Sequence, residues 1–165
     1  MPRGAPDWGF LAPQKNFMQL CREQNHFYER AGMVGQGAGR YSEIQLWNPV
    51  ASGVDAFINV LGFKVSAAVL LPVYWYASSR GTLKAYGVNR YSGGTASEIQ
   101  TRWVDRGIAS YSNEVYSIYA GTTRTEITHL HLWLVPGWGL NIVHPTANSD
   151  IEIDFTWYEF LSVEV

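Results

Sequence analysis

The sequence predicts an all-β fold: an antiparallel β-sandwich or jelly roll of about eight strands with an extended N-terminal arm. Three observations carry that expectation. Asp150, Glu152, Asp154, Thr156 and Tyr158 alternate with Ile151, Ile153, Phe155 and Trp157, the period-2 pattern of a strand with one dry and one wet face. Such half-wetted sheets are usually antiparallel. Aromatic residues make up 15% of the chain and glycines number 16, a composition that favours strands and turns over long helices. Turn signals, among them Asn48-Pro49, Ser52-Gly53 and Pro136-Gly137, recur between apolar runs. At 165 residues and 47% hydrophobic content the chain can close one core. The expected division is an arm over residues 1–40 and a sandwich domain over residues 41–165.

Pro2, Pro6 and Pro13 mark the arm, and a short helix is predicted from Asn16 to Ala31. Asn16 is its N-cap, and Phe17, Leu20, Cys21, Phe27 and Tyr28 supply spacings of three and four residues. Gly32, Gly35, Gly37 and Gly39 then form a joint from which the arm lies along its own domain or reaches a neighbour. The first strand is residues 41–48, ended by Pro49, which has no amide proton for a ladder. The next runs from Asp55, with Gly62 as a candidate bulge before Phe63 and Val65. Residues 69–76 are apolar on both faces and contain Pro72, which suggests an edge or a bulge.

Residues 77–98 are rich in Ser, Gly, Arg and Tyr and read as the longest loop, with Tyr91-Ser92-Gly93-Gly94 at its tip. Strands follow at 99–104 and 113–119. In the strand over 125–135, Ile127, His129, His131, Trp133 and Val135 share one face and Leu130, Leu132 and Leu134 the other. Residues 140–144 return from the Pro136-Gly137-Trp138-Gly139 turn, and residues 151–159 close the domain.

The net charge of -2 and pI near 6.1 give no overall attraction to nucleic acid or an anionic membrane. Every Lys and Arg lies at or before Arg124, while Glu126, Asp150, Glu152, Asp154, Glu159 and Glu164 follow it. Oppositely charged regions of two subunits could therefore meet. Cys21 is the single cysteine, so no intramolecular disulfide can form. The opening residues lack the basic head and apolar run of a secretory signal, and apolar runs such as 67–73 fall far short of a span of about 20 residues. A soluble protein made in a cytoplasm is expected.

His129 and His131 project from one strand face at a spacing that suits metal ligands, and His144 with Asn148 keeps a His-x-x-x-Asn spacing seen in cupins. The glutamate that should follow the paired histidines is missing, since Leu134-Val135-Pro136-Gly137 stands there. Histidines on a wet face or subunit seam are the simpler account, and no metal or cofactor is expected. Asp150, Glu152 and Asp154 would raise one another's pKa if unpaired, but a single regular strand offers no concave pocket. A solvated face, or one meeting basic residues of another subunit, explains them. The glycines at 32–39 precede a strand and lack a following Gly-Lys-Ser/Thr, so they form no phosphate loop. Asn89-Arg90-Tyr91 and Thr101-Arg102-Trp103 mix basic and aromatic side chains able to stack on bases or sugars. No serine sits in a Gly-x-Ser-x-Gly elbow, and Cys21 has no adjacent base. The sequence gives enzymatic chemistry no positive support, and a non-enzyme is expected.

Gln45-Leu46-Trp47-Asn48-Pro49 with Ser52-Gly53-Val54, Leu134-x-Pro136-Gly137-x-Gly139-Leu140, Thr146-Ala147-Asn148 and Phe155-x-Trp157-x-Glu159 together resemble a group of tailed-bacteriophage virion proteins. The match is one of pattern and order over roughly residues 41–159 and leaves the first forty uncovered. The resemblance implies a compact β-sandwich that assembles, often as a homotrimer, on a capsid or tail. The resemblance leaves the place on the particle open; the leading expectation is a capsid decoration or cement protein located in the virion, with itself and the major capsid protein as partners, and the charge and hydropathy give no direct contact with nucleic acid or membrane. On that reading Phe10, Phe17, Phe27, Tyr28 and Arg40 make capsid or subunit contacts, while Trp133, Trp138 and Trp157 pack the core or a seam. The alternative is a tail or fibre-tip module whose Arg90 and Tyr91 recognise a host-surface glycan. A cupin-like metalloprotein using His129, His131 and His144 is the second alternative.

Overall fold

A computed structural model describes residues 25–90, 93–107 and 114–162. These hold no helix and eleven strands: β1 (His26–Met33), β2 (Tyr41–Trp47), β3 (Val54–Val65), β4 (Val69–Tyr76), β5 (Thr82–Tyr86), β6 (Val88–Asn89), β7 (Gln100–Arg106), β8 (Glu114–Ala120), β9 (Thr125–Leu134), β10 (Gly139–Val143) and β11 (Ile151–Leu161). They form a five-stranded sheet A, ordered β6-β1-β11-β3-β9, and a six-stranded sheet B, ordered β5-β7-β2-β10-β4-β8. All neighbours are antiparallel, and the two sheets pack as a β-sandwich. No two strands consecutive in this order pair with each other.

The alternating side chains explain the core. Ile151, Ile153 and Phe155 of β11, Ile58, Leu61 and Phe63 of β3, and Ile44 and Leu46 of β2 fill the space between the sheets. Each such large side chain removed from water contributes roughly 1.5–3 kcal/mol. Trp157 is fully buried among them, and its indole Nε1 donates to Glu159 Oε1 at 3.0 Å. Burial pushes the Glu159 carboxyl up, against the hydrogen bonds from Ser97 and Trp157.

The predicted helix over 16–31 is corrected by the structure. Its described part is strand β1, flanked by β6 and β11, so the sandwich already includes residues assigned to the arm. Phe27, Ala31 and Met33 face the core. Glu29 interrupts that apolar alternation, and Lys84 compensates it through an ion pair. The loop predicted over 77–98 contains β5 and β6, two short edge strands whose polar residues hide the period-2 signal.

Gly62 is not a bulge. It sits in continuous register opposite Asp154 and Glu126, and a Cβ there would lie 2.9 Å from Asp154 Oδ2, so glycine makes room for a carboxylate. The bulges fall elsewhere, between Thr156 and Trp157 and between Ile58 and Val60. Pro72 lies in an interior strand beside the register shift at Val73 and Tyr74. In β9 the shift reverses the facing of the side chains: Ile127 pairs with core Leu61, yet Leu132 pairs with core Ile58. Ile127 and Trp133 therefore lie on opposite faces, contrary to simple alternation. His131 marks the irregularity with φ of 50°.

Candidate functional site

The outer face of sheet A divides into a charged end and an aromatic end. At the charged end Arg30 pairs with Glu152, and Asp154 gathers Tyr28 Oη at 3.1 Å, Arg30 at 3.6 Å and Arg124. Glu152 and Asp154 of the acidic row predicted from the sequence are thus matched by basic residues of their own chain. Asp150 accepts the Gly35 amide at 2.8 Å.

At the aromatic end, register aligns His26, Tyr158, Phe57 and Trp133 across four strands. His26 stacks on Tyr158 at 4.5 Å, Phe57 meets Trp133 at 5.4 Å and His131 at 5.6 Å, and Trp133 meets Phe160 at 5.5 Å. Burial is graded along this row. His26 and Tyr158 are buried, Phe57 is half-buried, and Trp133 is 53% exposed. Burial first, and then the charge of Arg90, push the His26 imidazole down to about 4. Val135, Trp138, Val50 and Leu161 are exposed too, and the register Leu161 to Val54 and Ala56 to Leu134 places them at the same end of the sandwich. β9, the terminal strand of sheet A, borders this apolar end.

The outer face of sheet B is built differently. Glu43, Gln45 and Asn141 point away from the core, yet all three are fully buried. Asn141 donates to Glu43, Gln45 donates to Asn141 Oδ1 and to Ser78 O, each at 3.0 Å, and the Arg80 amide donates to Gln45 Oε1 at 2.8 Å. The segment after β4 therefore lies over this face, with the Arg80 guanidinium 4.7 Å from the Tyr76 ring centroid. Arg106 approaches Glu43 at 3.3 Å. Burial pushes Glu43 up despite Asn141, Arg80 and Arg106, and burial pushes Arg106 down. A perturbed buried pair can signal chemistry, but here the network is sealed beneath the chain and holds the loop in place.

The expected contact residues are not gathered into one site. Phe10, Phe17 and Tyr91 lie outside the described residues. Phe27 is a correction: it is buried against Trp157, with centroids 6.0 Å apart, and faces the core instead of a partner. Tyr28 is half-buried and bonded to Asp154. Arg90 lies over the Tyr28 ring at 5.7 Å, and its amide donates to His26 O at 2.9 Å, so these two residues from the expected arm and loop share one corner. Arg40 is elsewhere, paired with Asp105 at 2.7 Å.

Of the three tryptophans expected in core or seam, Trp157 is core, while Trp133 and Trp138 are exposed on the single chain. His131 lies on sheet A and His144 follows β10 of sheet B. Among the described residues no group of three His, Cys, Asp or Glu is placed to hold a metal. Sequence reasoning missed Phe57 and Phe160 as surface aromatics and Glu43 with Arg106 as a buried pair. The first two were readable from phase, Phe57 standing between core-facing Ala56 and Ile58.

Two of the motifs that carried the resemblance, residues 45–54 and 134–140, meet in space. Gly139 pairs with Trp47, the Asn48 amide donates to Trp138 O and the Gly137 amide to Asn48 O, and Asn48 Nδ2 donates to Val54 O and Leu134 O. Asn148, with φ of 53°, accepts the Gly37 amide at 2.8 Å. These residues fix corners of the sandwich. No protein-family model matches the chain, and a search of curated proteins finds no match.

Proposed function

We propose that this chain is a structural subunit of a tailed-phage virion, a decoration or cement protein that acts as a homotrimer and reinforces the major capsid lattice. The observation that carries the reading is the exposed apolar end of the sandwich, where Trp133, Val135, Trp138, Val50 and Leu161 are exposed and where β9 is, among the described residues, the terminal strand of sheet A. Exposed large apolar side chains concentrated at one end mark an interaction surface, and burying them between copies supplies the aromatic contacts that interfaces favour. The resemblance points the partner toward a virion, and its motifs serve as framework, leaving exposed surfaces free for assembly.

The test has two arms. Sedimentation velocity on the purified full chain is expected to show trimers at micromolar concentration, and Trp133→Ser is expected to return monomers. Immunogold labelling of purified particles from the phage that encodes the chain is expected to decorate heads. Particles that carry no copy of the protein would overturn the virion role, and a monomer at every concentration would overturn self-assembly through this surface.

A further inference from the structure

A second feature lies at the opposite side of sheet A, between β1 and the β5/β7 edge of sheet B. Here the sandwich opens into a cleft of about 570 Å³ lined by Val34, Gln36, Thr82, Trp103 and Asp105 together with glycines 32 and 81. Ligand clefts fall between about 300 and 1,000 Å³. Trp103 is on the same face of β7 as Thr101 and opposite Ile44 of β2. Thr101 and Ile44 are fully buried, yet Trp103 is 40% exposed, because the face emerges from between the sheets along this strand. The β5 turn is held close by Gly81 (φ of 60°), where a Cβ would lie 1.9 Å from Trp103 O. The cleft wall thus requires glycine.

The polar groups are arranged around that indole. Asp105 Oδ1 accepts Arg40 Nε at 2.7 Å, and Arg40 Nη2 also reaches Asp105 O at 3.3 Å. The guanidinium holds the Asp105 carboxyl below the usual range, so it is an acceptor at any ordinary pH. The same pairing offsets its charge, which makes the cleft a poor trap for a metal or an organic cation. Gln36 and Thr82 add groups that both donate and accept. A pyranose presents an apolar C–H face to an aromatic ring and a rim of hydroxyls that donate and accept. We propose that this cleft binds a saccharide, with Trp103 as the stacking platform and Asp105, oriented by Arg40, accepting hydroxyl hydrogens. This inference is independent of the assembly surface, which lies at the other edge of sheet A.

The test is a ¹H–¹⁵N titration of the full chain with the methyl glycosides of glucose, galactose, mannose and N-acetylglucosamine, and with lactose and chitobiose, to about 50 mM, the range in which a single-sugar site of millimolar affinity saturates. At least one probe is expected to shift the Trp103 indole N–H saturably. Trp103→Ala and Asp105→Asn are each expected to weaken binding at least about tenfold, as central contacts do. Shift mapping on the unmodified chain keeps the test decisive should Trp103→Ala fail to fold, and Thr82→Arg, which fills the cleft, supplies a second loss-of-binding variant. No saturable shift with any probe, saturable shifts confined to other residues, or tighter binding of tetramethylammonium than of every sugar would overturn the proposal.

Discussion

Across sheet B the outward residues Gln45, Asn141 and Glu43 lie beneath the segment that follows β4, whereas across sheet A the outward row runs from buried His26 to exposed Trp133. Both faces arise from the same alternation, and both place polar or aromatic groups on the side away from the core. What differs is the covering. Sheet B covers the centre of its outer face, at Glu43, Gln45 and Asn141, with its own chain, so a carboxylate and a guanidinium meet there out of water at 3.3 Å. Sheet A leaves its aromatic end partly open and neutralises its acids with half-exposed arginines. Outward therefore means structural at the centre of sheet B and available at the aromatic end of sheet A.

The sharpest way to break that contrast is Glu43→Ala. It removes the carboxylate that Arg106 approaches at 3.3 Å and the acceptor of the Asn141 amide, and we expect a loss of about 3–5 kcal/mol in guanidinium unfolding. A loss below about 1 kcal/mol would show that the network under the loop holds little together.

Next in size is a pH effect at the boundary of the aromatic row. The His26 pKa is about 4 in the folded chain against an ordinary 6.5. Between those values the unfolded chain binds the extra proton, so this contribution to stability is complete above pH 6.5 and is lost as pH falls toward 4. His144, pushed down by burial, acts in the same sense, whereas Glu43 and Glu159, pushed up, favour the folded state toward acid. His26→Phe is expected to flatten the pH dependence of unfolding free energy between pH 4 and 6.5, removing on the order of 3 kcal/mol of change across that window. An unchanged slope would remove His26 as the titrating group.

Trp133→Ser tests the open end. We expect it to change stability by no more than about 1 kcal/mol while weakening self-association, so that denaturation and sedimentation part company. The smallest effect belongs to Arg30→Gln at the charged end, a few tenths of a kcal/mol, vanishing at high salt because the pair is half-exposed.

Strand positions were largely legible because period and turn chemistry are local. Residues 69–76 were read as a strand and match β4 in full, and the last strand differs from β11 only at its end. What stayed hidden depended on partners. Residues 26–31 fit the end of a helix by the three- and four-residue spacings that Phe27 and Tyr28 complete, while Glu29 interrupts the strand alternation, and only Lys84, far along the chain, shows that a charge can sit there. The facing of Trp133 was hidden by a bulge whose register is set on β3. Alternation identified Glu43 as outward, but the loop that buries it is a tertiary fact. The cleft at Trp103 was foreshadowed only by a basic residue beside an aromatic one.

The strand order also has a consequence for synthesis. β11 is the central strand of sheet A and joins β1 to β3, so neither has that partner until residues 151–161 have left the ribosome. At about 5–20 residues per second, β1 waits on the order of ten seconds after its own emergence. With no hairpin between successive strands among the described residues to hold the nascent chain, the β11-facing edges of β1 and β3 stay unmatched for that interval, and pairings so distant in sequence form slowly. Chaperone demand during translation, more than the finished fold's stability, should therefore limit how much of this protein a cell can make.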